Sequence, residues 1–325
     1  MRSLKIDRRA WVGATMVLLV GCGGHAPSER LVAFSQANNA EPYRAAQKAV
    51  MEQLFARVPN VKLVVSDAQQ DNSQQIAQIE TFVRQKPAVL IVAPNERAAL
   101  TAVMGEAMSA GIPVICLERD IANPNYTTYI RIDNREIGRM AGHFIVDDLT
   151  KKYGEPRGNV IALRGLLGVE AEINRDGGAR EILDQYPKIH ILADPVADWI
   201  QAKAKDRMTE VLRVQPSIDV VYGHNDPMAI GAFLAAKELN RDKEMIFIGV
   251  DGLGGPAGGI KKVLGGVLAA TFIYPLGVKE AVDIAEHILT DPHYQPPKIL
   301  TLTSTLVTPD NAAQIYQSTT TPAAQ

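Results

Sequence analysis

"PVICLERD" (113–120) begins as a buried strand and ends on three consecutive charges. Pro113 to Leu117 are apolar at successive positions, so both faces of the pleat must be covered. Strands of that kind belong to parallel sheets sandwiched between helices, not to half-wet antiparallel ones. Glu118, Arg119 and Asp120 then fall at the carboxyl end of the strand, the edge at which open α/β sheets hold their ligands.

The same pattern repeats on either side. "LVAFS" (31–35), "VKLVVS" (61–66) and "AVLIVA" (88–93) precede it, with start-to-start spacings of 30, 27 and 25 residues. The intervening stretches have helical period: Leu100, Val103, Met104, Ala107 and Met108 share one face, as do Ile76, Ile79, Phe82 and Val83. A second series follows in "NVIAL" (159–163), "IHIL" (189–192), "IDVVY" (218–222) and "MIFIGV" (245–250), spaced 30, 29 and 27 residues apart. Each interval fits a strand, a helix and two short loops. The chain therefore reads as two similar doubly wound α/β lobes. "VLAATFIY" (267–274), a helix near 276–289 and the extended run "KILTLTSTLV" (298–307) are too few for a third domain, and spacing alone assigns them to neither lobe.

The 325 residues, 46% hydrophobic and 22% charged with a formal charge of −2, are an ordinary globular composition without a basic block that would favour nucleic acid. The N-terminus is different. Arg2, Lys5, Arg8 and Arg9 precede an apolar run from Ala10 to Gly21, too short to span a membrane but suited to a secretion signal. The run ends in "LVGC" (19–22), which resembles the lipobox of bacterial lipoproteins, with Cys22 as the acylated residue and 1–21 as signal peptide. "DRRAW" (7–11) also resembles, weakly, a twin-arginine export signal. Loss of 1–21 removes four bases and one acid and leaves a formal charge of −5. Cys116 is then the only thiol available, so no intrachain disulfide is expected, and its place in an apolar strand suits a core cysteine. The expectation is an exported protein attached to the membrane through its lipid, with 22–30 a tether and 318–325 a disordered tail.

Polar groups gather after the apolar runs. Ser35, Gln36, Asn38, Asn39, Glu41 and "PYR" (42–44) follow the first, and Glu118 and Arg119 the fourth. Arg164 and "GVEAEINR" (168–175), "DPVADW" (194–199), "GHND" (223–226) and "VDG" (250–252) follow the strands of the second series. If the two lobes face one another, these edges line one cleft. Carboxylates that accept, guanidiniums that donate in a fork and amides that do both suit a neutral polyhydroxy ligand. Rings such as Tyr43 and Trp199 suit the C–H face of a sugar. On this reading Glu118 and Arg119 serve adjacent hydroxyls, each keeping the other ionised.

"VAFSQANNAEPYR" (32–44), "GIPVICLERD" (111–120), "VYGHNDPMAIGA" (221–232), "FIGVDG" (247–252) and "LAAT" (268–271) resemble the motifs of ribose- and galactose-type periplasmic sugar receptors, the type I solute-binding proteins of ABC importers. "LLGVEAEINR" (166–175) and the "FSQ…R" opening are most similar to the galactofuranose-binding branch. The resemblance implies two doubly wound parallel-sheet lobes joined by a three-strand hinge, with crossings near 132–135, 271–275 and 302–306. The lobes would be 31–133 plus 275–302, and 134–274 plus 303–317. It assigns ligand contacts to Ser35, Gln36, Asn39, Tyr43, Arg44, Glu118 and Arg119 in the first lobe. In the second it assigns Arg175, Trp199, Asn225 and Asp251, with Tyr274 at the hinge. It implies a monosaccharide ligand, a permease and ATPase complex as partner, no cofactor or metal, and a monomer. Glu118 stands where Asp is common in the family, and Tyr43 where Trp or Phe is usual, so the identity of the sugar stays open.

Other readings fit less well. "DGLGGPAGG" (251–259) matches G-x-G-x-x-A, but Pro256 lacks an N–H for a phosphate and the motif comes late in the fold. A glycosidase needs one protonated carboxyl of a pair, and Arg119 beside Glu118 favours the anion. No nucleophile motif and no metal-spaced Cys or His cluster is present. A sugar-responsive repressor would carry a DNA-binding segment where the export signal stands. A receptor reporting sugar to a chemotaxis or sensor-kinase partner shares every feature of the importer reading.

Overall fold

Six parallel strands form the first sheet in the computed structural model, which describes residues 29–320. The expected signal peptide, Cys22 and nearly all of the expected tether lie outside the described residues, as do residues 321–325. The sheet comprises β1 (Arg30–Gln36), β2 (Val61–Asp67), β3 (Val89–Ala93), β4 (Val114–Glu118), β5 (Thr128–Ile132) and β11 (Ile299–Leu302). Their order is β11-β5-β4-β3-β1-β2. Alternate residues serve opposite faces. Val32, Phe34 and Ile91 pack under α1 (Pro42–Phe55) and α9 (Val278–Thr290). Ala33, Leu90 and Val92 pack under α2 (Asn72–Gln85) and α3 (Arg97–Ser109). Burial on both faces is what the unbroken apolar runs required.

The second sheet is built from β6 (Gly158–Leu163), β7 (Ile189–Ala193), β8 (Val220–Gly223) and β9 (Ile246–Ile248), in the order β7-β6-β8-β9. One face carries α4 (Asn134–Tyr153) and α5 (Glu170–Leu183), packed on Val160, Val220 and Tyr222. The other carries α6 (Gln201–Val214), α7 (Asp226–Glu238), α8 (Gly259–Leu264) and α10 (Ala312–Thr320), around Ile161, Leu163 and Val221. β10 (Thr271–Ile273) joins this sheet through isolated bridges from Ile248 to Ala270 and from Asp251 to Ile273, and pairs antiparallel with β12 (Thr305–Val307). The chain passes between lobes three times: from β5 into α4, from β10 into α9, and from β11 into β12.

Three details differ from the sequence reading. β5 is a full strand, although Arg131 is exposed and Thr128 polar, so it presents no unbroken apolar run. The run "KILTLTSTLV" divides inside the crossing expected near 302–306: its first half completes the first sheet and its second half pairs with β10. Most of "GVEAEINR" lies in α5, so Arg175 projects from a helix. The expected tail is helical as far as Thr320, the end of α10.

Candidate functional site

β4 stops at Glu118 because the backbone turns there. Glu118 has φ 67°, the left-handed region that a side chain with a Cβ seldom occupies. The turn is over-determined: Arg119 N–H donates to the Leu117 carbonyl at 2.8 Å, Tyr129 Oη to the Glu118 carbonyl at 3.1 Å, and Cys116 Sγ to the Arg119 carbonyl at 3.1 Å. Burial, followed by the charges of Asp120 and Glu118, pushes the Cys116 thiol up, so it stays a neutral donor. The turn aims the Glu118 carboxylate into the space between the lobes.

Its main partner is not Arg119. Arg44 Nη2, from the first turn of α1, lies 2.5 Å from Glu118 Oε2, whereas Arg119 Nε is 3.7 Å away and Arg119 Nη1 donates to the Asn95 carbonyl at 2.9 Å. Tyr274 Oη donates to Glu118 Oε1 at 2.8 Å. Burial raises the Glu118 carboxyl, but Arg44, then Arg119, and the hydrogen bonds from Tyr274 and Arg44 outweigh it and hold the group below its usual range. Burial lowers Arg44, and Glu118 and Glu41 more than restore it. The Tyr43 and Tyr274 hydroxyls are pushed up by burial and then by Glu118, so both remain neutral. Their rings lie 5.1 Å apart, and Tyr43 Oη donates to the Pro275 carbonyl at 2.8 Å, fastening α1 to the second crossing.

The second lobe presents its own set. Arg175 donates from Nε to Asn134 Oδ1 at 3.0 Å and from Nη1 to the His224 carbonyl. Its guanidinium is 4.3 Å from the Tyr274 ring centroid and 5.6 Å from that of Trp199. Trp199 also sits at positive φ, 70°, and its ring lies flat against Gly165, where an added Cβ would be 2.1 Å away. Asn225 caps α7 by accepting the Met228 N–H at 2.9 Å and donates to the Trp199 carbonyl at 3.1 Å. Asp251 follows β9 with φ 128°, and burial, then the negative charge of Asp226, pushes its carboxyl well up.

These groups meet around one cavity between the lobes. Tyr43, Arg44, Glu118 and Arg119 line it from the first lobe, Arg175, Trp199, Asn225 and Asp251 from the second, and Tyr274 from the crossing. Three expected contacts do not line it. Ser35 Oγ accepts from Gln75 beneath the sheet edge, Gln36 donates to the Arg44 carbonyl, and Asn39 lines a neighbouring outer cavity with Gln70 and Gln201. Sequence reasoning did not assign Glu41, Pro42 or Ala171, which complete the wall, or Asn134, which links Arg175, Tyr274 and Glu170. Glu41 and Pro42 were visible beside Tyr43. Asn134 had no local signal, because its partners lie on α5 and on the β10–α9 crossing, far along the chain.

The arrangement can grip a small ring. The Tyr43, Tyr274 and Trp199 rings supply apolar faces, forks donate, and carboxylates accept. Among the described residues, no group of three or more His, Cys, Asp or Glu is placed to hold a metal. Residues 32–275 match the family described as periplasmic binding protein domain. The chain belongs to this family. Its match is to a binding domain, not an enzyme, and the two-lobed α/β fold is the family's. A xylitol-binding protein of Mycolicibacterium smegmatis is 30% identical over 75% of this chain and 70% of its own. A galactofuranose-binding protein of Escherichia coli is 31% identical over 87% and 89%. Among solved structures, the fructose-binding periplasmic domain of a hybrid two-component system superposes with a TM-score of 0.84 at 34% identity, covering 90% of this chain and 94% of that one. The arabinose transporter's binding protein from Shewanella sp. ANA-3, holding L-arabinofuranose, gives 0.81 at 28% identity over 90% and 97%.

Proposed function

We propose that this periplasmic binding protein closes over one monosaccharide, a pentose or hexose and in furanose form where the sugar permits, and delivers it to an ABC importer. The observation that carries the reading is the cavity: both lobes and a crossing segment contribute, so no open form can offer all the contacts at once. The lobes 31–133 plus 275–302 and 134–274 plus 303–317 would move about the three crossings, and closure would be favoured because only the closed form lets both sets touch the ligand. Furanose binding is supported by the galactofuranose- and arabinofuranose-binding relatives. A micromolar affinity corresponds to about 8 kcal/mol. A thermal-shift and calorimetric screen over pentoses, hexoses, xylitol and myo-inositol tests it: a saturable ligand is expected, and no response to any of them would overturn the reading.

The anchor belongs to the same proposal. Signal peptidase would cut before Cys22 and the acylated thiol would tether a monomer of formal charge −5 to the membrane. Cys22→Ser should move the protein from the membrane to the soluble fraction or leave it uncleaved; unchanged fractionation would remove the anchor. Sensing is the second reading, favoured by the likeness to the fructose-binding domain of a two-component system. Adjacent permease and ATPase genes would support import, and an adjacent sensor gene would support signalling.

A further inference from the structure

A second cavity adjoins the first. Glu41, Pro42 and Trp199 line both, so no element separates them. The crossings leave the first sheet from β5 and β11, at one end of the strand order, whereas the outer cavity is lined from the other end, by the loops after β1 and β2. In the second sheet β10 adjoins β9, and Trp199, Ile200 and Gln201 follow β7, the strand farthest from it. The outer cavity therefore lies on the side away from the crossings, between the far edges of the two lobes. It is the larger of the two.

Both edges are held in fixed shapes. On the first lobe Gln69 and Gln70 have left-handed φ of 53° and 63°, and the Ala68 and Gln70 N–H groups donate to the Gln36 and Ala37 carbonyls at 3.0 and 2.8 Å. Gln70 Nε2 donates to Glu41 Oε1 at 2.9 Å, which ties this turn to the start of α1. On the second lobe Asp198 and Trp199 are likewise left-handed, at 52° and 70°. There the Ala197 N–H donates to the Arg164 carbonyl at 2.9 Å, and Lys203 Nζ to Asp198 Oδ2 at 2.8 Å. Edges tied down in advance lose little freedom when a ligand arrives.

Pro42, Trp199, Ile200 and Pro227 give the outer cavity apolar surface suited to the C–H face of a sugar ring. The Gln69 and Gln201 amides have no partner in the described chain. Asn39 Oδ1 is buried without a donor, and Trp199, 5% exposed, has an Nε1–H without an acceptor. Buried polar atoms are ordinarily paired, and hydroxyls, which both donate and accept, would pair these. Glu41 and Asp67 supply the charges, and among the described residues no base lines the cavity, so a phosphate or carboxylate would be repelled. We infer that the outer cavity is a second sugar subsite: the protein takes neutral disaccharides, with one ring in the inner cavity and the glycosidically linked second ring between the two lobe edges. This rests on the sugar reading above and extends it from one ring to two.

Calorimetry with L-arabinose, D-galactose and D-fructose, and with arabinobiose, lactose, melibiose and sucrose, which carry the same sugars in glycosidic linkage, tests the subsite. At least one disaccharide should bind about tenfold tighter than the free sugar it contains, the gain of a covered ring and a hydrogen bond or two. Gln201→Ala should cost that disaccharide about fivefold and leave the free sugar unchanged. Gln201→Trp, which fills the outer cavity from an exposed position at the start of α6, should abolish the gain, again without effect on the free sugar. Capture of free sugars alone, or of disaccharides no more tightly than free sugars, overturns the subsite and leaves the sugar reading standing. A disaccharide bound equally by wild type and Gln201→Trp also overturns it. No heat with any of the seven removes the sugar reading itself, and the subsite with it.

Discussion

Glu118 shows how a single residue joins fold to site. It ends a core strand, takes up a left-handed φ, and meets Arg44, Arg119 and Tyr274 with a carboxylate that burial alone would neutralise. Glu118→Gln leaves two buried guanidiniums without their anion, a change that costs about 3 kcal/mol in comparable buried pairs. The expected outcome is loss of ligand binding and a lower melting temperature by circular dichroism; wild-type stability would show that the pair is not coupled to folding. The folded carboxyl is held below its unfolded range, so its contribution is complete above that range and disappears as pH falls through the folded value. Melts of the variant should accordingly lose less stability than wild type as pH falls below the ordinary glutamate value of about 4.3. Trp199 offers a direct probe. The chain has two tryptophans, Trp11 and Trp199, so a protein lacking 1–21 reports only the cavity ring. Its emission should change saturably with a bound sugar, and a silent titration alongside calorimetric binding would place the ligand elsewhere.

At the scale of elements, the segment between β10 and α9 deserves most weight in testing. Tyr274 donates to Glu118, accepts from Asn134 at 3.2 Å and stacks on Arg175, so one side chain contacts groups from both lobes. Tyr274→Phe keeps the ring and deletes the hydroxyl, leaving Glu118 one donor short. Affinity should fall about tenfold, the scale of one charge-assisted hydrogen bond, with the fold preserved. Equal affinities would mean that the hydroxyl plays no part in the grip. The β6–α5 loop makes a second test through packing. Gly165→Ala inserts a methyl group into the Trp199 ring, and Trp199 sits in a left-handed turn with little freedom to retreat. Ligand affinity should fall more than stability; a variant with unchanged affinity would show that the ring's position does not matter.

For the whole molecule, the prediction concerns coupling between closure and stability. A ligand held by both lobes binds the closed native state and not the unfolded chain, so at a hundredfold excess over Kd it adds about 2.7 kcal/mol. The melting temperature should rise with sugar concentration, and small-angle scattering should show a smaller radius of gyration with sugar than without. A rise in melting temperature with no compaction would mean capture without lobe movement.

The two series of apolar runs at near-equal spacing determine two helix-covered parallel sheets, because burial on both strand faces and the length of a crossover helix are local properties of the chain. The polar strand ends also lie in the sequence, and the resemblance to sugar receptors is what singled out Tyr43, Arg175, Trp199 and Asp251 among them. β5 escaped because an exposed Arg131 breaks its apolar run, and the division of "KILTLTSTLV" between two sheets has no local mark. Which groups pair is a tertiary matter. Arg44 reaches Glu118 across 74 residues and Tyr274 reaches it across 156, while Asp226 meets Thr271 across 45. Strand order and side-chain reach bring such residues together, and neither is written in the neighbours of any one of them.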